Sequence, residues 1–318
     1  MSAIAPKNAV APLCWDVARM HACTAWQISG EAALRDATQL LEWAHGVDDP
    51  LRMLHADTVD TPAIDEIART LRQEIDHGSG VAWVRDLGVL DEPTLRLVYL
   101  KIGLAIGDPI DTYGRLYDVK DTGASYRDNA IPVSQTREST GMHTDSSGKD
   151  VLPCIVGLAC VRQAREGGRS RVVSAAQAHE TLRAEEPRLL ARLYEDFVRD
   201  VITPGSDRDP KHVAKNRFPV FSYDHRLVLR YMRYWIERGH ARIGLPIDPE
   251  AVRAFDALDA ALGAPEHVLE FRMAPGDLLF IDNTRVAHDR DAYREDPRAS
   301  RLMLRLWLAD HQRANAYT

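Results

Sequence analysis

The chain has 318 residues, 45% of them hydrophobic and 27% charged, enough to bury a sizeable core in one large domain or two smaller ones. Its 40 Lys and Arg against 47 Asp and Glu leave a net charge of −7, which argues against a nucleic-acid protein, since that would need a basic face. No apolar run is long enough to span a membrane, the Met1 end has no basic start followed by an apolar core, and four cysteines in a chain this long make no disulfide framework, so a reducing cytoplasm is expected.

The first 75 or so residues read as helical. Gly30–Gly46 carries apolar residues at helical spacing and ends on glycine, and Thr61–Gly78 opens on Thr61 as a cap with Pro62 at the first helical position. Cys14, His21 and Cys23 match no zinc-site spacing, and a fourth ligand is not evident. Gly80–Leu87 then reads as a buried strand and Asp91–Gly107 as a capped helix. From Asp108 the text turns to strand and loop, and Ile110–Thr140 is a polar, turn-rich stretch of the kind that serves function. Asp150–Val161 is a buried strand, and Ala176–Asp196 an amphipathic helical stretch. Phe221–Tyr231 is a hairpin turning at Asp224-His225, and Asp248–Pro265 is a helix. Val268–Asn283 and Arg301–Ala309 supply closing strands. Many short strands interrupted by helices suit a mixed α/β chain with a mostly β core, a jelly roll in a helical jacket. The expected organisation is a helical region over 1–77 packed on a core domain over 78–318. A homo-oligomer through the helical part is compatible with the sequence, though no unpaired apolar stripe demands one.

The chemistry concentrates in His143-Thr144-Asp145, read with His288 and the Arg301/Arg305 pair. Two imidazoles and a carboxylate are the ligands of the facial triad that holds non-haem Fe(II) with positions left open. On a strand, His143 and Asp145 would point to one face and reach one metal. Taken alone, a His-x-Asp is equally a surface turn or a satisfied polar pair. Arg301 and Arg305 are four apart, on one side of a strand. Asn283 reads as a turn residue or as an amide orienting a ligand.

Four blocks decide between these readings: STGMHTDSS, EGGRSRVVSAAQAHETL, PGDLLFIDNTRVAHDR and RLMLRLWLAD. In order and spacing they resemble the taurine dioxygenase and clavaminate synthase-like family of Fe(II)/2-oxoglutarate-dependent oxygenases, over roughly Gly78 to Asp310. The resemblance implies a double-stranded β-helix and an enzyme using Fe(II), 2-oxoglutarate and O2. It implies His143, Asp145 and His288 as metal ligands, with Arg301 and the Ser170 hydroxyl on the far carboxylate of 2-oxoglutarate. It also suggests Arg305 as the group facing an acidic small-molecule substrate. Tyr231, Arg233 and Tyr126 are candidates for the substrate-pocket wall. Retention of Asp145 implies oxygenation, since relatives that chlorinate replace that carboxylate with a small residue. The expected reaction is hydroxylation of an unactivated C–H bond of a small polar, carboxylate-bearing metabolite. Desaturation or ring formation would need the same residues. A non-catalytic binding member of the fold would be expected to lose a ligand, and none is lost.

Overall fold

The protein is described here from a computed structural model, over residues 14–88, 90–126, 131–149, 152–200, 202, 206–296 and 298–310. Its main sheet, among the described residues, has seven strands. In order these are Gln27–Ser29, Val81–Arg85, Leu278–Asp282, Ile155–Arg162, Leu302–Ala309 and Asp108–Pro109, with Tyr117–Val119 also paired to Leu302–Ala309. A smaller sheet runs Leu269–Phe271, Ser170–Ser174, Val286–Arg290.

These strands read as near-continuous apolar runs because both faces are covered, and successive residues serve different cores. In the main sheet Ile155, Leu278, Phe280, Leu304 and Leu306 pack outward against helices Leu34–Ala44, Pro62–His77 and Glu92–Ile106. Their neighbours Val156, Leu279, Ile281, Met303 and Trp307 face inward, where Val172 and Val286 of the smaller sheet meet them. Val173 and Ala287 point the other way, into a third cluster closed by helices Ala175–Glu185 and Pro249–Gly263. Each fully buried Leu, Ile or Phe of these faces contributes about 1.5–3 kcal/mol. The space between the two sheets is where the polar residues gather.

Two of the long helices start on a local cap and a third does not. Asp91 and Asp248 cap their helices by accepting the N–H of Thr94 and Ala251. Thr61 does not cap. Asp36, from the preceding helix, accepts the N–H of Ala63 and Ile64 at 2.8 and 2.9 Å, and the Thr61 hydroxyl is buried without a partner.

Several elements differ from the sequence reading. Gln27–Ser29 is a strand inside the stretch expected to be helical, parallel to Val81–Arg85. Pro187 divides the Ala176–Asp196 stretch into two helices, since its ring cannot continue the first. Arg233–Arg242 is a helix that its polar composition concealed. Among the described residues no helix is long and apolar enough to cross a membrane.

Candidate active site

His143 and His288 face each other across a two-residue antiparallel bridge. The His143 N–H donates to the His288 carbonyl at 3.0 Å, and the His288 N–H returns to the His143 carbonyl at 2.9 Å. His288 lies on the Val286–Arg290 strand, held in register by Val172 of the neighbouring strand. His143, contrary to expectation, lies on no strand: the chain pairs for that one residue and then turns at Asp145. Asn283 fixes the turn. Its amide oxygen accepts the Asp145 N–H at 2.7 Å, and its amide nitrogen donates to the carbonyls of Asp145 and Pro153 at 3.1 and 3.0 Å. All its polar atoms are thus used on the backbone around one carboxylate.

The Asp145 side chain divides its two oxygens. Oδ1 lies 3.6 Å from His143 Nε2 and 3.7 Å from His288 Nε2. Oδ2 accepts the Trp307 indole N–H at 2.6 Å and lies 3.6 Å from the Arg305 guanidinium. Burial alone would raise the Asp145 carboxyl, but Arg305 and both histidines outweigh it and hold it well below the usual carboxylate range. Burial, with His143 beside it, pushes His288 down to about 3, so its ring is neutral with a lone pair available. Burial also opposes charge on His143, yet the hydrogen bond and charge of Asp145 raise it above its ordinary value. The His143 Nδ1 donates to the Gly141 carbonyl at 2.9 Å, which leaves Nε2 turned to Asp145. Among the described residues this is the one cluster of three or more His, Cys, Asp or Glu able to hold a metal ion, its ligand atoms all within 4.8 Å of one another. The donor set fits a divalent cation: two neutral nitrogens, one anionic oxygen, and a field that favours positive charge between them. Cys14 and Cys23 form no disulfide and join no such cluster among the described residues.

Two cavities meet at this cluster. The first lies between the sheets and is lined by Ser170, Arg301, Arg305 and the apolar Leu279, Ile281 and Met303. Arg301 is buried; its Nε donates to the Gln163 amide oxygen at 3.2 Å, its backbone N–H donates to Glu295, and no carboxylate among the described residues pairs with its guanidinium. Burial and the neighbouring charge of Arg290 push it down to about 10. Arg290 was not anticipated from the sequence, although it sits two residues past His288. It lines the same cavity, donates to the Thr136 and Glu138 carbonyls, and keeps Nη1 buried without a partner. Both guanidiniums approach the Tyr293 ring, at 4.6 Å for Arg290 and 5.1 Å for Arg301. The second cavity opens on the other side of His143 and Asp145, with Ser134, Ser146, Ser147, Met232, Trp235 and Arg305 on its wall.

Four sequence expectations are corrected here. The Tyr231 ring is fully buried in the helical core with its hydroxyl on Asp259 at 2.7 Å, and only its backbone serves the site, by exchanging hydrogen bonds with Thr144. Arg233 turns outward to Glu237, Asp256 and Asp259. Tyr126 packs on Tyr234 beside Val133 and Met232 and lines neither cavity. Arg305 does face both cavities, but it does not await a substrate anion. Asp145 Oδ2 supplies its counter-charge, and the rings of Trp307, Tyr117 and Tyr113 surround it at 4.5, 4.9 and 5.6 Å.

Comparison with known proteins identifies the family. Residues 48–307 match the model of the taurine catabolism dioxygenase TauD, TfdA family. The FR-33289 synthase of Streptomyces rubellomurinus (strain ATCC 31215) is 27% identical over 311 residues, covering 92% of this chain and 88% of that protein. A uridine-5'-phosphate dioxygenase of an Amycolatopsis species is 28% identical over 280 residues, covering 84% and 96%. In fold, the chain is similar to asparagine oxygenase crystallised with Fe(II), 2S,3S-3-hydroxyasparagine and succinate, with a TM-score of 0.65 at 18% identity, covering 92% of this chain and 96% of that one.

Proposed function

The chain belongs to the taurine catabolism dioxygenase TauD, TfdA family and is a 2-oxoglutarate-dependent non-haem iron dioxygenase, and we propose that it hydroxylates an unactivated C–H bond of a small polar metabolite on a double-stranded β-helix core, in the cytoplasm. His143, Asp145 and His288 are the proposed iron ligands. One observation carries the assignment: both histidine Nε2 atoms converge on a single oxygen of Asp145 at the meeting point of two cavities. A relative named for uridine 5'-phosphate supports a small, polar, anion-bearing substrate.

Bound Fe(II), 2-oxoglutarate and O2 supply an oxidant able to break the C–H bond, with 2-oxoglutarate leaving as succinate and carbon dioxide. The chain's own groups do the rest. Arg301 and the Ser170 hydroxyl hold the far carboxylate of 2-oxoglutarate, and Arg290 adds positive charge beside them. Trp307 and Arg305 keep Asp145 Oδ2 occupied, so that Oδ1, beside both histidines, would be the oxygen offered to a metal. Leu279, Ile281 and Met303 keep water from the cosubstrate cavity. The second cavity receives the substrate. Anaerobic Fe(II) with 2-oxoglutarate should give a weak visible charge-transfer band that His143→Ala or His288→Ala abolishes. A full-strength band in either variant removes that residue from the ligand set.

A further inference from the structure

Resting on the dioxygenase reading above, we infer that the turn Ser146-Ser147-Gly148, with Ser134 opposite, forms an oxyanion subsite that binds a phosphate or phosphonate group of the substrate. The hydroxyls of Ser134, Ser146 and Ser147 are all buried without a hydrogen-bond partner among the described residues, and all three residues line the second cavity. Three orphaned hydroxyls around one cavity are a cost that calls for an occupant to satisfy them. Their backbone adds to the count. Ser146 has a left-handed φ of 57°, and the turn closes through the Lys149 N–H on the Ser146 carbonyl at 2.9 Å. The N–H groups of Ser146, Ser147 and Gly148 have no acceptor among the described residues. Successive free N–H groups beside a left-handed residue form a concavity suited to an anion.

The acceptors of the same cavity are already engaged. Asp145 serves the histidines, Trp307 and Arg305, while Asp200 is paired with Arg208 and Arg242. The wall therefore offers hydrogens to a group rich in acceptors, with the one cation on it, Arg305, already countered by Asp145. A tetrahedral oxyanion presents three oxygens in three directions, one for each hydroxyl; a carboxylate presents two in a plane. Ser146 directly follows Asp145, an offset of about 3.8 Å between Cα atoms.

Calorimetric titration of the full chain with inorganic phosphate, methylphosphonate and acetate tests this. Phosphate and methylphosphonate should bind, with acetate weaker by at least about tenfold. Ser146→Gly/Ser147→Ala, which keeps the left-handed backbone while removing both hydroxyls, should weaken phosphate binding by at least about tenfold. Ser134→Ala is the second variant should the double one melt early. Arg301→Gln should leave phosphate affinity within about twofold, because it acts in the other cavity. The subsite is overturned by absence of phosphate binding, by equal affinity for acetate, or by binding that Arg301→Gln abolishes and the serine variants keep. The Fe(II)/2-oxoglutarate band of the unaltered protein stands apart from all of these, so loss of the dioxygenase reading would show there and nowhere else.

Discussion

Trp307→Phe isolates the hydrogen bond that holds the outer oxygen of Asp145. The indole N–H donates to Oδ2 at 2.6 Å in a buried setting, to a group whose charge is retained. Phenylalanine keeps most of the ring and deletes the donor. A buried hydrogen bond to a charged group is worth about 1.5–3 kcal/mol, which corresponds to about 10–150-fold in an equilibrium constant. Arg305, 3.6 Å from the same oxygen, can take up part of the loss, which places the expected weakening of metal binding nearer tenfold. Freed from the indole, Oδ2 can also swing toward the metal and occupy a position that 2-oxoglutarate needs. The assay is anaerobic titration with Fe(II), followed by the charge-transfer band on adding 2-oxoglutarate. Trp307→Phe should bind metal about 10–30-fold more weakly, and the double variant with Arg305→Gln should lose more than the sum of the single ones. Unchanged metal affinity in a folded Trp307→Phe would refute the division of labour between the two oxygens.

Arg301→Ala should weaken 2-oxoglutarate binding by about 2–5 kcal/mol, and Arg301→Lys should recover part, since an ammonium cannot form the planar fork; unaltered affinity by band titration would move the assignment to Arg290. Asn283→Ala should cost about 2–4 kcal/mol in urea unfolding, because it strands the Asp145 N–H and two carbonyl partners in a buried site; a loss within error would mean that the turn holds itself. Burial opposes charge on Asp200, but Arg208 and Arg242 outweigh it, so its folded value lies below the ordinary 3.8. The stabilisation it gives is therefore complete above pH 3.8 and is lost as pH falls through the lower folded value. Asp200→Asn should remove about 1–3 kcal/mol near neutral pH, discounted for the part-exposed arginines, with a shallower acid limb; an unchanged acid limb would show that Asp200 does not set it.

Where the sequence could be read, the reason was periodicity or punctuation. Pro93 and Pro249, just inside Asp91 and Asp248, mark two helix starts that the structure keeps. The apolar runs at Ile155–Arg162 and Leu302–Ala309 stand out because both faces of the main sheet are covered. Elements held by distant partners were not legible. Gln27–Ser29 is three residues long and exists as a strand only because Val81–Arg85 lies beside it. The cap of helix Pro62–His77 comes from Asp36, 27 residues before Ala63, so no local motif could announce it.

The site divides along the same line. The ordered blocks point to His143, Asp145 and His288, and the structure brings the three together by a different route from the one the sequence suggests. A strand period of two was invoked to aim His143 and Asp145 at one point, whereas the structure achieves it with a single bridge to His288 and the Asn283 clamp. Two cations on one strand leave Arg305 in need of a counter-charge, from a substrate carboxylate or from a protein Asp or Glu that the sequence cannot locate. A carboxylate has two oxygens facing different ways, and here one turns to the histidines while the other turns to Trp307 and Arg305. Arg305 is thus neutralised by the group that binds the metal, which ties substrate-cavity charge to ligand geometry. Any search for the substrate's anionic partner must then move off that strand. Donors that no protein group satisfies lie instead on the turn immediately after Asp145, where periodicity and charge counting are silent.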